Sequence, residues 1–135
     1  MYDTIDLSTL GTLPAGGYLV VAGAGVTVDP GALALNPGWT SNQIQNGSDG
    51  MALVDTNATV VLDALSYANT AGGITAVSLP GFAAPVTLVE GTAATAKDSN
   101  TTDGSLCRHP SGNDTDDANA DWQFCTTKTP GTANP

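Results

Sequence analysis

NGSDGMALVDTNATVVLDALSY, residues 46–67, reads as a β-hairpin and sets the fold class of the chain. Asn46-Gly47-Ser48-Asp49-Gly50 is a turn cluster, and Met51 to Asp55 is a short apolar strand. Thr56-Asn57-Ala58 is the connecting turn, with Asn57 the residue expected to adopt a left-handed conformation at low cost. Thr59 to Tyr67 is a longer strand, rich in β-branched residues. Along it Val60, Leu62, Ala64 and Ser66 face one way, and Val61, Asp63, Leu65 and Tyr67 the other. Both faces are mostly apolar, so the strand is expected to be covered on at least one side. Asp63 is either buried, with backbone N–H donors from a neighbouring loop, or half-buried at a sheet margin.

Outward from the hairpin the same grammar recurs. Tyr2 to Leu10 alternates weakly and reads as an edge strand or an extended lead-in. Leu13-Pro14-Ala15-Gly16-Gly17 is a turn, and Tyr18 to Ala22 is a continuous apolar run of strand length, hence a buried strand. GAGVTVDPG, from Gly23 to Gly31, has the look of a dinucleotide loop but lacks its third glycine. Val26-Thr27-Val28 before Asp29-Pro30 cannot open the helix that would hold a pyrophosphate, so the segment reads as a hairpin turn. Gly31 to Trp39 holds a short apolar piece and a Pro-Gly turn, and Trp39 is expected to cap the core with its indole N–H on a carbonyl. After the hairpin, Asn69 to Gly73 is a loop. Val77 to Leu79 and Pro85 to Glu90 are strand candidates broken by Pro80-Gly81. Gly91 to Gly104 is a long polar loop, expected to be the most mobile segment. Ser105 to Arg108 and Trp122 to Cys125 are short strands around the acidic loop Asn113 to Asp121, and Thr129 to Pro135 is a terminal turn or tail. No internal repeat is evident. Short strands, frequent turn residues and no long helical period define an all-β domain, a sandwich in preference to a barrel.

Composition narrows the function. A length of 135 residues suggests one domain, residues 1–135, with room for a core. There are 13 acidic residues against 3 basic ones, for a net charge of -10. That balance opposes binding to a phosphate backbone or an anionic lipid surface, and it permits cation binding. No apolar run is long enough to span a membrane. Cys107 and Cys125 are either a disulfide or two thiols. The disulfide is the expectation and places the protein in an oxidising, extracellular or cell-surface setting. The start, Met1-Tyr2-Asp3, has no signal-peptide character, so the chain is expected to be a mature form or an excised piece.

Candidate chemistry concentrates in GNDTDDANAD. Asn113, Asp114, Asp116, Asp117, Asn119 and Asp121 crowd oxygen ligands into one loop, which suits a hard cation such as calcium. The EF-hand pattern is not met: Asn119 stands where its glycine belongs and Cys125 where its closing glutamate belongs. The competing reading is a solvated turn whose side chains satisfy their own backbone. His109, between Arg108 and Pro110, reads as a surface-loop residue, because no GxSxG, HExxH or P-loop accompanies it. Glu90 is the only glutamate and most aspartates sit in turns, which gives glycosidase chemistry little support. Asn46, Asn57, Asn100 and Asn113 open N-x-Ser/Thr sequons, taken here as ordinary turn residues.

Taken in order, several stretches resemble the lamin tail domain in its secreted bacterial form. They are IDLS (5–8), LPAGGYLVV (13–21), QNGSDGMALVD (45–55), VVLDALSY (60–67), LVEGT (88–92), DSNTTDGSLCRHPSGNDTDDANADWQF (98–124) and TPGTAN (129–134). Each is weak alone, and they follow one another across nearly the whole chain. The resemblance implies an immunoglobulin-like β-sandwich of mostly antiparallel short strands. It further implies a non-catalytic attachment or interaction module of a larger secreted or surface protein, whose partner is another protein or a cell-surface component. The family's domain opens with strands around an EL-YNP-like motif before IDLS. Here the chain begins almost at IDLS, so an open sheet edge is expected. The alternative is a structural surface or filament subunit that self-associates by strand complementation at that edge.

Overall fold

The structure, a computed structural model, describes residues 3–40, 43–45, 47–68 and 72–135. Among the described residues the strands pair as three two-stranded sheets. β1 (Leu19–Val21) and β2 (Leu33–Leu35) form the first, β3 (Asp49–Asp55) and β4 (Val60–Tyr67) the second, and β5 (Ser105–Arg108) and β6 (Trp122–Cys125) the third. A one-turn helix, α1 (Ala118–Asp121), precedes β6, and a 3₁₀ turn spans Ser8–Leu10. The molecule is therefore β-rich, and no helix among the described residues is long and apolar enough to cross a membrane.

β3 and β4 form the antiparallel hairpin expected from residues 46–67. Asp49 faces Tyr67 and Met51 faces Leu65, down to Leu53 opposite Asp63. There the register shifts, and Val54 faces Val61. Leu62 is thus an extra residue on β4, a bulge, and 61% of its surface is exposed. Asp55 builds the turn by accepting from the N–H groups of Asn57 (2.8 Å) and Ala58 (3.0 Å). The left-handed residue is consequently Thr59 (φ 57°), not Asn57. Asn46 lies outside the described residues.

Burial runs along β4 rather than only across it. Val60 and Leu62 are exposed, whereas Ala64, Leu65, Ser66 and Tyr67 are all buried. The face of Leu65 and Tyr67 packs with Ala94 and Ala118, and Leu106 and Trp122 close over this cluster. A buried leucine contributes roughly 2 kcal/mol by removal from water, so this end of the hairpin anchors the domain. On the other face Gly50 lies against Leu88 and Ile74, and Ser66 Oγ accepts from the N–H of Ile74 (3.0 Å).

The segment Gly91 to Gly104 is a loop, as expected, but its first half is docked on the hairpin. Ala93 and Ala94 are buried. Ala94 N–H donates to Ser66 O (2.9 Å), and Ala68 N–H donates to Ala96 O (3.0 Å), along the edge of β4 away from β3. Small side chains allow the backbone this approach, while giving no apolar pattern by which to recognise it. The tail is likewise docked: Asp29 N–H donates to Pro130 O (2.9 Å), and Asn134 Nδ2 donates to Arg108 O (2.9 Å).

β1 and β2 correct another expectation. They run parallel, Leu19 beside Leu33 and Val21 beside Leu35, so Gly23 to Gly31 is a short crossover and not a hairpin turn. Asp29 closes it, accepting from Gly31 N–H through its side chain (2.8 Å) and from Ala32 N–H through its carbonyl (3.0 Å). β1 is only partly buried. Trp39 donates its indole N–H to the Asp3 carboxylate (2.6 Å) rather than to a carbonyl. Among the described N-terminal residues, 3–17, there is no strand. Val77 to Leu79 and Pro85 to Glu90 reduce to a single bridge between Val77 and Val86.

β5 and β6 pair as expected, with Cys107 opposite Gln123 and Ser105 opposite Cys125. The two cysteines are therefore diagonal neighbours on one face and form a disulfide, with Cα atoms 5.9 Å apart. They are 18 residues apart in the chain. Closing a loop of that size removes about 3 kcal/mol of unfolded-state entropy. Replacing both cysteines with alanine should lower stability by about that amount, read as a shift in denaturant midpoint.

Candidate functional site

The strongest concentration of charge forms around Arg108, the last residue of β5. Its side chain lies over the Trp122 ring, 5.3 Å from the centroid. That stacking follows from the register, because Arg108 and Trp122 are cross-strand partners. Nη2 reaches Asp63 at 3.1 Å and Glu90 at 3.6 Å, and Nη1 reaches Asp114 at 3.4 Å. Asp63 is thus half-buried, and its partner is a guanidinium rather than loop N–H groups. Glu90 Oε2 and Arg108 Nε are buried and make no hydrogen bond.

Three carboxylates share one cation, and this shows in Glu90. Burial, with Asp63 and Asp114 nearby, pushes its carboxyl above the ordinary range, against the pull of Arg108. Behind the cluster, Asp121 is almost completely buried. It accepts from Thr115 N–H (2.7 Å), Asn113 Nδ2 (2.7 Å) and Thr115 Oγ1 (2.9 Å). These hydrogen bonds, led by the Thr115 backbone, hold its carboxyl below the usual value, with Arg108 adding to the effect.

The six loop residues singled out from sequence separate into two groups. Asn113 and Asp121 bond each other. Asp117 caps α1, accepting from Asn119 N–H (3.1 Å) and Ala120 N–H (3.4 Å). Asn119 Oδ1 accepts from Thr95 N–H (3.0 Å) and Thr95 Oγ1 (2.8 Å), tying the loop to the segment beside β4. Asp114 and Asp116 point instead towards Glu90, and the three offer oxygens within 4.8 Å of one another. Glu90 was missed as a partner because it lies far from the loop in sequence. Its standing as the only glutamate is the one available signal. Gly91 permits the meeting: its φ is 58°, and a Cβ there would collide with Asp116 O and approach Asp117 Cα at 2.9 Å.

The arrangement therefore acts first as an electrostatic clamp. It could also hold a hard cation through Glu90, Asp114 and Asp116, but Arg108 already stands against two of these. His109 is exposed, with Nδ1 2.8 Å from Pro135 O. Of the sequons, Asn57 and Asn100 are exposed, whereas the Asn113 amide is committed to Asp121. Family models, curated proteins and solved structures compared with this chain give no match.

Arg108→Met should destabilise the fold by about 1–2 kcal/mol, because it leaves the largely buried Glu90 carboxylate without its cation, whereas the more exposed Asp63 and Asp114 are screened by solvent. The pH dependences of the two acids have opposite signs. Glu90 binds its proton more tightly when folded, so its contribution to stability falls as pH rises through its raised value. Asp121 contributes fully above the ordinary carboxylate range, and that contribution is lost as pH falls through its lowered value. In thermal melts, Glu90→Gln should raise the midpoint at neutral pH and lose this advantage in acid, whereas Asp121→Asn should lower the neutral midpoint. Calcium titration distinguishes a cation site from a clamp. A midpoint rise at millimolar calcium over chelator, lost in Asp116→Asn, marks a site, and an unchanged midpoint marks an ion-paired turn.

Proposed function

We propose that this chain is a non-catalytic extracellular interaction or attachment module, a lamin-tail-like domain with an immunoglobulin-like sandwich, carried by a larger secreted or surface protein. The β-rich architecture and the Cys107–Cys125 disulfide support the setting. The observation that carries the interaction role is the free end of the β3–β4 hairpin. Leu53, Val60 and Leu62 are 46–61% exposed there, at one end of the longest sheet, and Met51, opposite Leu65, adds a further 47%-exposed side chain along β3. Apolar side chains gathered on an exposed hairpin are a recognition surface in preference to a core.

The second reading is a self-assembling surface or filament subunit. What supports it is that β3 pairs only with β4 among the described residues, so an edge for strand complementation lies there rather than in the N-terminal segment. Light scattering over a wide concentration range separates the two. The attachment module should remain a monomer throughout, and growth into dimers or polymers would replace it with the structural subunit. Reproducible turnover of a nucleic-acid, phosphoester or glycoside substrate would overturn both.

A further inference from the structure

The four N-x-Ser/Thr tripeptides take no part in the Arg108 clamp or in the exposed apolar surface, and the fold separates them. The Asn113 carboxamide donates to Asp121 (2.7 Å), so a substituent on its nitrogen would break one of the bonds that hold the acidic loop. Asn46 lies outside the described residues. Asn57 sits in the β3–β4 turn, where Thr56 to Val60 are exposed one after another. Its backbone N–H is taken by Asp55 (2.8 Å). Neither its carboxamide nor the Thr59 hydroxyl makes a hydrogen bond among the described residues. A group joined to Asn57 Nδ2 would displace no partner and would extend into solvent.

The turn also holds a residue that local stability does not account for. Thr59 has a φ of 57°, where a β-branched side chain is strained and glycine or asparagine is favoured. Its hydroxyl supports no hydrogen bond of the fold. A hydroxyl two residues after an asparagine is what transfer of a glycan to that asparagine requires. An aspartate precedes each of the two exposed sequon asparagines by two residues, Asp55 before Asn57 and Asp98 before Asn100. Ile44 and Ser111 hold that place before Asn46 and Asn113. Asp55 accepts from the N–H groups of Asn57 and Ala58, and this bonding sets Asn57 in the turn with its side chain exposed.

We infer that Asn57 is the acceptor of an N-linked oligosaccharide. The donor is an oligosaccharide carried on a polyisoprenyl diphosphate. Asn57 Nδ2 forms a bond to the anomeric carbon, and the bond from that carbon to the diphosphate oxygen breaks. The polyisoprenyl diphosphate leaves with the electron pair, and one amide proton passes to a base of the transferase. The inference rests on the extracellular setting of the attachment reading, since such sequons are used in secreted proteins.

The test starts from the folded, disulfide-closed chain. It is incubated with a purified oligosaccharyltransferase and a polyisoprenyl-diphosphate oligosaccharide, then read by intact mass and by mass-spectrometric site mapping. Asn57 should gain one glycan and Asn113 none. Transfer to Asn57 should persist in Thr59→Ser and fall about tenfold or more in Thr59→Asn, which removes the hydroxyl while suiting the left-handed backbone. A melt verifies that each variant is folded, and glycosylation should leave the midpoint within about 2 °C. Absence of transfer to Asn57 in the folded chain, whether or not a free peptide of residues 54–61 is glycosylated, would overturn the inference. So would undiminished transfer in Thr59→Asn, or a fall of several degrees in the midpoint on glycosylation. None of these outcomes removes the attachment reading, which is judged by a stable monomer without turnover.

Discussion

The guanidinium of Arg108 is where separate stretches of this chain are held to one another. It lies on β5, stacks on Trp122 of β6, and draws in Asp63 of β4, Glu90 before the buried alanines, and Asp114 of the acidic loop. With only 3 basic residues in the sequence, the loss of this cation would leave its carboxylates without a substitute. Asp121 completes the construction from behind, fixing the loop through Thr115 and Asn113. Burial, with Asp63 and Asp114 nearby, raises the Glu90 carboxyl against the pull of Arg108. The benefit of the cluster is positional: it locks the β5–β6 pair, already closed by the disulfide, onto the buried end of the hairpin.

That buried end explains why the opposite end is free. β4 passes from exposed Val60 and Leu62 to a stretch, Ala64 to Tyr67, covered on both faces. The clamp, the alanine segment and Trp122 all gather around this second half. The first half, with the Leu62 bulge and the Asp55 turn, is covered less, and Val60 and Leu62 stay exposed. One strand thus anchors the domain and presents a surface, and β3, paired only with β4 among the described residues, carries exposed apolar residues.

The sequence by itself determined what depends on near neighbours. β4 followed from its β-branched composition, and β3, β5 and β6 from short apolar runs between turn residues. The acidic loop lay where its Asp and Asn residues placed it, and the disulfide followed from the only two cysteines. Only the tertiary structure decided what depends on distant pairing. The parallel partnership of β1 and β2 leaves no local mark, since each strand reads the same whichever way its neighbour runs. Ala93 and Ala94 entered the core because alanine is small enough for the β4 edge, and alanine is nearly silent in a hydrophobic pattern. Glu90 joined Asp114 and Asp116 because the glycine after it lets two backbones cross, a contact between segments far apart in the chain. Local periodicity fixes which residues form strands, whereas the partners of those strands are set by packing and charge that become comparable only once the chain has closed on itself.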